Sequence, residues 1–484
     1  PIDVKGIIFY GLHAVIKKFL IEDWNKNFFQ KPKDEIVSEY KTMMDTALGP
    51  NDIGTAHIEA LHDLGYLPIH IKALPEGSYV PFGVPVLTIK NTHPDFFWIT
   101  NYLESVLSAE LWKMSTTATI ALKYKSICRS MAAKTGVDFN PFQVHDFSFR
   151  GMSGLEDAAM TGMGHLTSWM GTDTVPAIAS VNKYYETASF VGGSVPATEH
   201  SVMCMGGEEG EIETFKRLLN LYPKGIVSIV SDTWDFWKVV TEYLPTLKEK
   251  IEARDGKVVI RPDSGDPIKI VCGYHLLTKQ NADLLLEDTS DVYAVKETDG
   301  KYYEYFYHPE LEWMHGDELS EAQVKGAIEC LWDVFGGETN AAGYKVLTPK
   351  IGLIYGDSIT PAVAQEILDQ LAYKNFASTN VVFGAGSFTY QHLTRDTFGF
   401  AMKATSGVVN GVRRDIQKSP KTDSGVKKSA KGLLRVEYER GVHTLYDSQT
   451  EDEELTGELY TVFKDGELHS EYTFYEIRNN INQI

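Results

Sequence analysis

Cysteine is scarce. Only four occur in 484 residues, Cys128, Cys204, Cys272 and Cys330, far apart and with no Cys-x-x-Cys pair. That excludes a disulfide framework and a zinc site, and it predicts reduced, buried thiols in a cytoplasmic protein. No apolar run reaches the ~18 residues that a membrane-spanning helix needs. The opening PIDVKGIIFYGLHAVIKKFL carries an early acid, Asp3, and no small-residue cleavage site, so it does not read as a signal peptide. Positive charge is in short supply. Lys and Arg number 46 against 66 Asp and Glu, a net charge of −20, which argues against nonspecific nucleic-acid binding. GxxxxGK[ST] is missing, so no P-loop nucleotide site is expected. The GAGSFT run at 384–389 lacks the third glycine of a dinucleotide fingerprint. Internal repeats and low-complexity segments are also missing.

What is present is an ordinary globular composition, 43% hydrophobic and 23% charged, long enough for two to three domains or one elaborated barrel. Tyr10–Leu20 reads as an amphipathic helix, LPIHIKALPEGSYVPFGVPVLTIKNT as short antiparallel strands, and Phe97–Lys134 as helix. A different rhythm follows. KGIVSIVSDTWDFWKVV, GKVVIRPDSGDPIKIV, KIGLIYGDSITPAVAQEIL and FASTNVVFGAGSFTYQHL each run strand, loop, helix, the signature of parallel α/β architecture. Chemistry in such folds gathers at the carboxyl ends of the strands. Those ends carry Ser231-Asp232, Arg261–Gly265, Gly356-Asp357-Ser358 and Gly384–Ser387. Each one alone suits a helix cap. In series, with aspartates and glycines recurring, they fit a cap-only reading poorly. Asp288–Trp313 interrupts the rhythm as a hairpin with an Asp299-Gly300 turn, and strand-like runs return from about Gly411, with a second Asp-Gly turn in TGELYTVFKDGELHSEYTF.

Several local patterns carry two readings. In GSVPATEHS, at 193–201, Pro196 suits a first helical position with Ser194 as cap, or Glu199-His200 is a functional pair. VHDFSFRG, at 144–151, is a strand with Phe147 and Phe149 on one face. Equally, it is an aromatic beside Arg150, suited to a planar ring near an anion. Asp173 stands in the polar loop GTDTVPA. Gly384 and Gly386 allow backbone N–H groups to approach an anion at a helix N-terminus. The basic stretch between Arg395 and Lys431 is a solvated loop or a local anion site.

VHDFSFRG, GTDTV, SVPATEHS, VSDTWD, IRPDSGDP, YGDSI, FGAGSF and LTRD occur in the order and near the spacing found in nicotinamide phosphoribosyltransferases, of the type II phosphoribosyltransferase family. With FYGL and LPIHIKALPEG, the chain resembles that family from about Phe9 to its end. The resemblance implies an irregular TIM-barrel-like α/β core (105–396) with a β-rich domain assembled from residues 1–104 and 397–484, working as a cytoplasmic homodimer with shared active sites. Family members carry several tens of residues ahead of FYGL that supply an aspartate and a tyrosine to the neighbouring site. The sequence here begins at Pro1.

The implied reaction joins nicotinamide to phosphoribosyl pyrophosphate, giving nicotinamide mononucleotide and pyrophosphate, with Mg²⁺ as cofactor and ATP as co-substrate. By the same resemblance, Phe147 stacks on the nicotinamide ring and Asp173 accepts its carboxamide N–H. Arg150 and Arg261 surround the ring and phosphoribosyl group, Ser228 joins the substrate contacts, and Asp232 and Asp263 lie near ribose and metal. Gly356 and Asp357 contact ribose, while Gly386 and Ser387 stand where the family has two phosphate-contacting glycines. Arg395 and Lys403 match residues donated across the dimer. His200 matches a histidine phosphorylated by ATP, with Glu199, Lys418 and Lys427 associated with the nucleotide; Leu433 stands where the family often has an arginine. The neighbouring readings are a nicotinate or quinolinate phosphoribosyltransferase, a non-catalytic nucleotide or phosphoribosyl pyrophosphate sensor, and a barrel glycosidase. Carboxylate substrates call for cations where this chain has Asp173, and Gly- and Arg-rich loops argue against a glycosidase.

Overall fold

The computed structural model describes residues 4–187, 189–278, 293–297, 299–308, 312–417 and 429–484. At its centre are six strands, each pair of neighbours parallel: β1 (Val144–Asp146), β2 (Gly171–Thr172), β3 (Val227–Val230), β4 (Val258–Arg261), β5 (Ile351–Tyr355) and β6 (Val381–Ala385). Their order is β2-β1-β6-β5-β4-β3. Parallel strands are covered on both faces and therefore need nearly continuous apolar runs. All four residues of β3 are buried, and four of the five in β5.

The two edges of this sheet, β2 and β3, are reached by one segment. Gly193 bridges Gly171 and Ala197 bridges Ser228, both in parallel. Thr172 N–H donates to Gly193 O, and Thr198 N–H to Ser228 O, each at 3.0 Å. Residues 193–198 thus act as an interrupted closing strand that curls the sheet into the expected barrel-like core. This corrects the reading of Pro196 as a helix start. The helix, α2 (His200–Met205), begins four residues later with Glu199 at its N-cap. Main-chain pairing with two edge strands overrides the local preference of Ser194 and Pro196.

A second core joins the chain ends. Ile69–Ala73 pairs antiparallel with both Leu87–Asn91 and Tyr460–Lys464. Asp465 and Gly466, at φ 50° and 88°, supply the two positive-φ positions that the next tight hairpin requires. The long helix α1 (Ile99–Thr135) connects the cores. Its residues from Ile99 to Ala118 pack with the chain ends, and those from Ile120 to Met131 with the barrel. Leu12–Val15 is helical as expected and continues through Ile16–Asp23 in wider π-type turns. Tyr293–Lys296 and Tyr302–His308 form the expected antiparallel hairpin around Asp299-Gly300; residues 288–292, 298 and 309–311 lie outside the described set.

All four cysteines are free. Cys128, Cys272 and Cys330 are buried, but Cys204 is exposed, contrary to expectation, because it sits on the short surface helix α2. Among the described residues no helix is long and apolar enough to cross a membrane.

Candidate active site

The carboxyl ends of β1, β2 and β6 build one side of the barrel mouth. Phe147 directly follows β1, and its N–H donates to Ala385 O at 2.9 Å. Its ring occupies space that two glycines leave. A methyl group at Gly384 would lie 2.3 Å from Phe147 Cδ2, and one at Gly356 2.9 Å from the same atom. The Arg261 guanidinium lies 5.8 Å from the Phe147 ring centre, and the His145 ring 5.0 Å away. His145 Nε2–H donates to Asp173 Oδ1 at 2.8 Å. The Ser194 hydroxyl donates to the same oxygen, which leaves Oδ2 with no hydrogen bond among the described residues. Burial alone would raise the Asp173 pKa, but the His145 contact, the Ser194 hydroxyl and the Arg261 charge hold it below the usual carboxylate range.

β3 and β4 build the other side. Asp232 follows β3 and its side chain is almost buried. Its Oδ1 accepts from His200 Nε2–H at 3.1 Å, and its Oδ2 accepts Asp263 N–H at 3.0 Å. Arg261, the last residue of β4, holds Asp263 Oδ2 at 3.3 Å through Nε and donates from Nη2 to Thr198 O at 3.2 Å. Burial and the neighbouring Asp232 push the Asp263 pKa up, against the pull of Arg261, His200 and Arg150. Asp263 Oδ1 is buried with no hydrogen-bond partner among the described residues. The carboxylate that orients His200 is therefore Asp232, from a strand end, and not the adjacent Glu199. Glu199 turns away, 3.8 Å from the exposed Arg150.

Two further pairs of expected residues follow the carboxyl ends of β5 and β6. Gly356 and the exposed Asp357 come directly after β5, followed by Ser358 in the left-handed region at φ 54°. Gly386 and Ser387 open the four-residue helix α3 (Ser387–Tyr390), and Ser387 faces Gly151, where a methyl group would come within 2.1 Å of its Oγ. Ser228 lies inside β3 and is tied by its main chain to Pro196 and Thr198. Arg395 and Lys403 are exposed; Arg395 pairs with its neighbour Asp396 at 3.5 Å, and among the described residues neither bonds to the other site residues. Lys418 and Lys427 lie outside the described residues.

Two contributors were not assigned from sequence. Local sequence offers Ser194 only as a cap and gives His145, inside VHDFSFRG, no role. The missing signal is the register His145↔Gly171 between β1 and β2, which brings His145 beside Asp173. Among the described residues, no group of three or more His, Cys, Asp or Glu side chains is arranged to hold a metal ion by itself.

The model of the nicotinate phosphoribosyltransferase (NAPRTase) family matches residues 142–467. The chain is 53% identical over 486 residues to a nicotinamide phosphoribosyltransferase of Acinetobacter baylyi, covering 99% of this chain and 88% of the relative. A second nicotinamide phosphoribosyltransferase, from Mycoplasma pneumoniae, is 35% identical over 362 residues, covering 74% and 69% of the two chains. Among solved structures, a nicotinate-nucleotide pyrophosphorylase from Pyrococcus furiosus superposes with a TM-score of 0.50 at 15% identity, covering 86% of this chain and 80% of that one. That last likeness concerns the fold alone.

Proposed function

The chain belongs to the nicotinate phosphoribosyltransferase (NAPRTase) family, and from that premise we propose that it transfers the phosphoribosyl group of phosphoribosyl pyrophosphate to nicotinamide. The observation that carries the choice of base is Asp173. Its pKa is lowered and one of its oxygens is taken up by two donors, which leaves a fixed negative acceptor held by His145, whose ring packs against Phe147. A carboxamide offers N–H to such an acceptor, whereas a nicotinate carboxylate offers only a second negative charge. The nicotinate reading is disfavoured on that ground, and the two relatives named for nicotinamide support the same choice.

The chemistry asks for position and charge more than for proton transfer. The pyridine nitrogen has a free lone pair and attacks the ribosyl C1′ as the C–O bond to pyrophosphate breaks. No proton has to leave the nucleophile. Phe147 holds the ring and Asp173 Oδ2 fixes its carboxamide, so the nitrogen faces C1′. Arg150 and Arg261 counter the developing negative charge, Asp232, Gly356 and Asp357 hold ribose hydroxyls, and the Gly386 and Ser387 backbone at α3 receives phosphate. Ser228 contributes by keeping residues 196–198 on β3.

The Mg²⁺ that accompanies pyrophosphate fits Asp263, whose Oδ1 is buried without a hydrogen-bond partner among the described residues. Mg²⁺ commonly takes one or two carboxylates and completes its shell with phosphates and water. When bound, it neutralises charge on the leaving group.

His200 donates Nε2–H to Asp232, which leaves the Nδ1 lone pair as the nucleophile for the γ-phosphoryl group of ATP. That step yields ADP and a phosphohistidine, which water later returns to histidine and phosphate. Glu199, Lys418 and Lys427 serve the nucleotide, and Arg395 and Lys403 serve the other subunit of a homodimer. The reaction belongs in the cytoplasm, where four free thiols stay reduced.

The test is product formation. Purified protein with nicotinamide, phosphoribosyl pyrophosphate, Mg²⁺ and ATP yields nicotinamide mononucleotide and pyrophosphate in equal amounts. Binding of phosphoribosyl pyrophosphate without either product identifies a sensor and overturns the assignment.

A further inference from the structure

We propose that His145 is a positioning residue for the base. By donating Nε2–H to Asp173 Oδ1, it turns Oδ2 toward the carboxamide and thereby sets the preference for nicotinamide over nicotinate. The inference rests on the reading of Asp173 given above and adds the residue that makes that reading work.

Three features hold the His145 ring in one place. It is the central residue of β1, buried, in parallel register with Gly171 of β2. Gly171 leaves the slot the ring fills, since a methyl group there would sit 2.6 Å from His145 Nδ1 and 3.2 Å from Cγ. On another side the ring meets Phe147, with centres 5.0 Å apart and planes tilted by 54°. His145 therefore touches both the aromatic assigned to the pyridine ring and the carboxylate assigned to the amide.

Asp173 is constrained from its own side as well. Its N–H donates to Asp146 O at 2.9 Å, which fixes its main chain at the end of β2. With His145 and Ser194 both donating to Oδ1, rotation of the carboxylate is blocked, and Oδ2 is the acceptor that remains. Ser194 belongs to the closing segment and is exposed, whereas His145 belongs to the buried sheet. Of the two donors, His145 is the one whose position the fold determines. A histidine also suits the task chemically. It supplies one directed N–H without the permanent positive charge of Lys or Arg, which would attract the carboxylate the pocket has to reject.

The experiment compares steady-state kinetics with nicotinamide and with nicotinate for wild type, His145→Phe, His145→Gln and Asp173→Asn, together with thermal melting. His145→Phe keeps a ring against Gly171 and Phe147 but removes the donor. Loss of the outer partner that orients a metal-ligating side chain typically costs roughly 10–100-fold, and a loss of the same order is expected for the partner that orients Asp173. The expected result is a fall of that size in kcat/KM for nicotinamide, carried mainly by KM, with a much smaller change for nicotinate. His145→Gln, which keeps a side-chain N–H within reach of Oδ1, recovers most of the loss. Equal losses for both bases in His145→Phe, or no recovery in His145→Gln, reduce His145 to a packing role and overturn the proposal.

Asp173→Asn separates the two layers of inference. If it leaves the base ratio unchanged, the reading of Asp173 itself falls. If it shifts the ratio and His145→Phe does not, only the positioning role falls. Should His145→Phe fail to fold, His145→Asn, too short to reach Oδ1, is the second donor-removing variant and is judged by the same outcomes.

Discussion

The two sides of the barrel mouth handle negative charge in opposite ways. On the β1–β2 side, Asp173 sits in hydrogen bonds that outweigh its burial, and its pKa falls. On the β3–β4 side, Asp263 is crowded by burial and Asp232, and its pKa rises. One carboxylate is at rest in the protein's own structure, while the other is held at a cost that a cationic ligand lowers. The contrast follows the tasks proposed for them. Reading a base needs a fixed, oriented acceptor. Stabilising a charged group in transfer needs carboxylates that the fold alone does not satisfy. The closing segment 193–198 and the start of α2 run between the two, with Ser194 on one side and His200 on the other.

The largest expected effect lies on the strained side. Asp263→Asn lowers kcat by on the order of 10²–10³-fold, the range for loss of one group that stabilises transition-state charge, with little change in nicotinamide KM. A loss that appears mainly in nicotinamide KM would erase the division of labour. Next comes His200→Ala. It forms no acid-labile phosphoenzyme from labelled ATP, and its nicotinamide kcat/KM in the presence of ATP falls by roughly 5–150-fold, the usual size of a coupling between two sites. Labelled, acid-labile phosphate persisting on this variant would move the phosphorylation elsewhere.

The smallest effect is in stability, and its sign differs between the sides. Asp173, with a lowered folded pKa, contributes stability above its unfolded pKa, and this is lost as pH falls through the folded value. Asp263, with a raised folded pKa, works the other way: stability declines as pH rises from its unfolded to its folded value, so its charge is destabilising at neutral pH. Ligand-free melting at neutral pH should therefore show Asp173→Asn melting below wild type and Asp263→Asn above it, by a few degrees at most. Shifts of the same sign would break the comparison.

Much of the fold was legible because its signals are local. The apolar runs of β3 to β6, each ending in polar residues, announce buried parallel strands, and Asp299-Gly300 and Asp465-Gly466 announce their turns. The barrel closure was not legible. Ser194 and Pro196 look like a helix start, and only pairing with Gly171 and Ser228, distant in sequence, makes the segment extended. The site divides in the same way. Residues at strand ends were recognisable one by one, but their partners were not, because register decides them. His200 is oriented by Asp232 across the closing segment, not by the adjacent Glu199. Cys204 is exposed because α2 is too short to be packed all round, which a hydrophobic residue type alone does not reveal.

The most direct test of the central claim is the ratio of kcat/KM for nicotinamide to kcat/KM for nicotinate, measured on wild type and on Asp173→Asn. The two bases are nearly the same shape, so charge has to separate them. Like charges brought together in a partly desolvated site cost several kcal/mol, and about 1.4 kcal/mol is tenfold. The wild type should prefer nicotinamide by roughly 10²–10⁴-fold on this arithmetic. Asp173→Asn keeps the size, removes the charge and can turn its N–H₂ toward a carboxylate, so its ratio should fall toward one. An unchanged ratio would contradict the account, because the carboxylate held by His145 and Ser194 would then not be what reads the base.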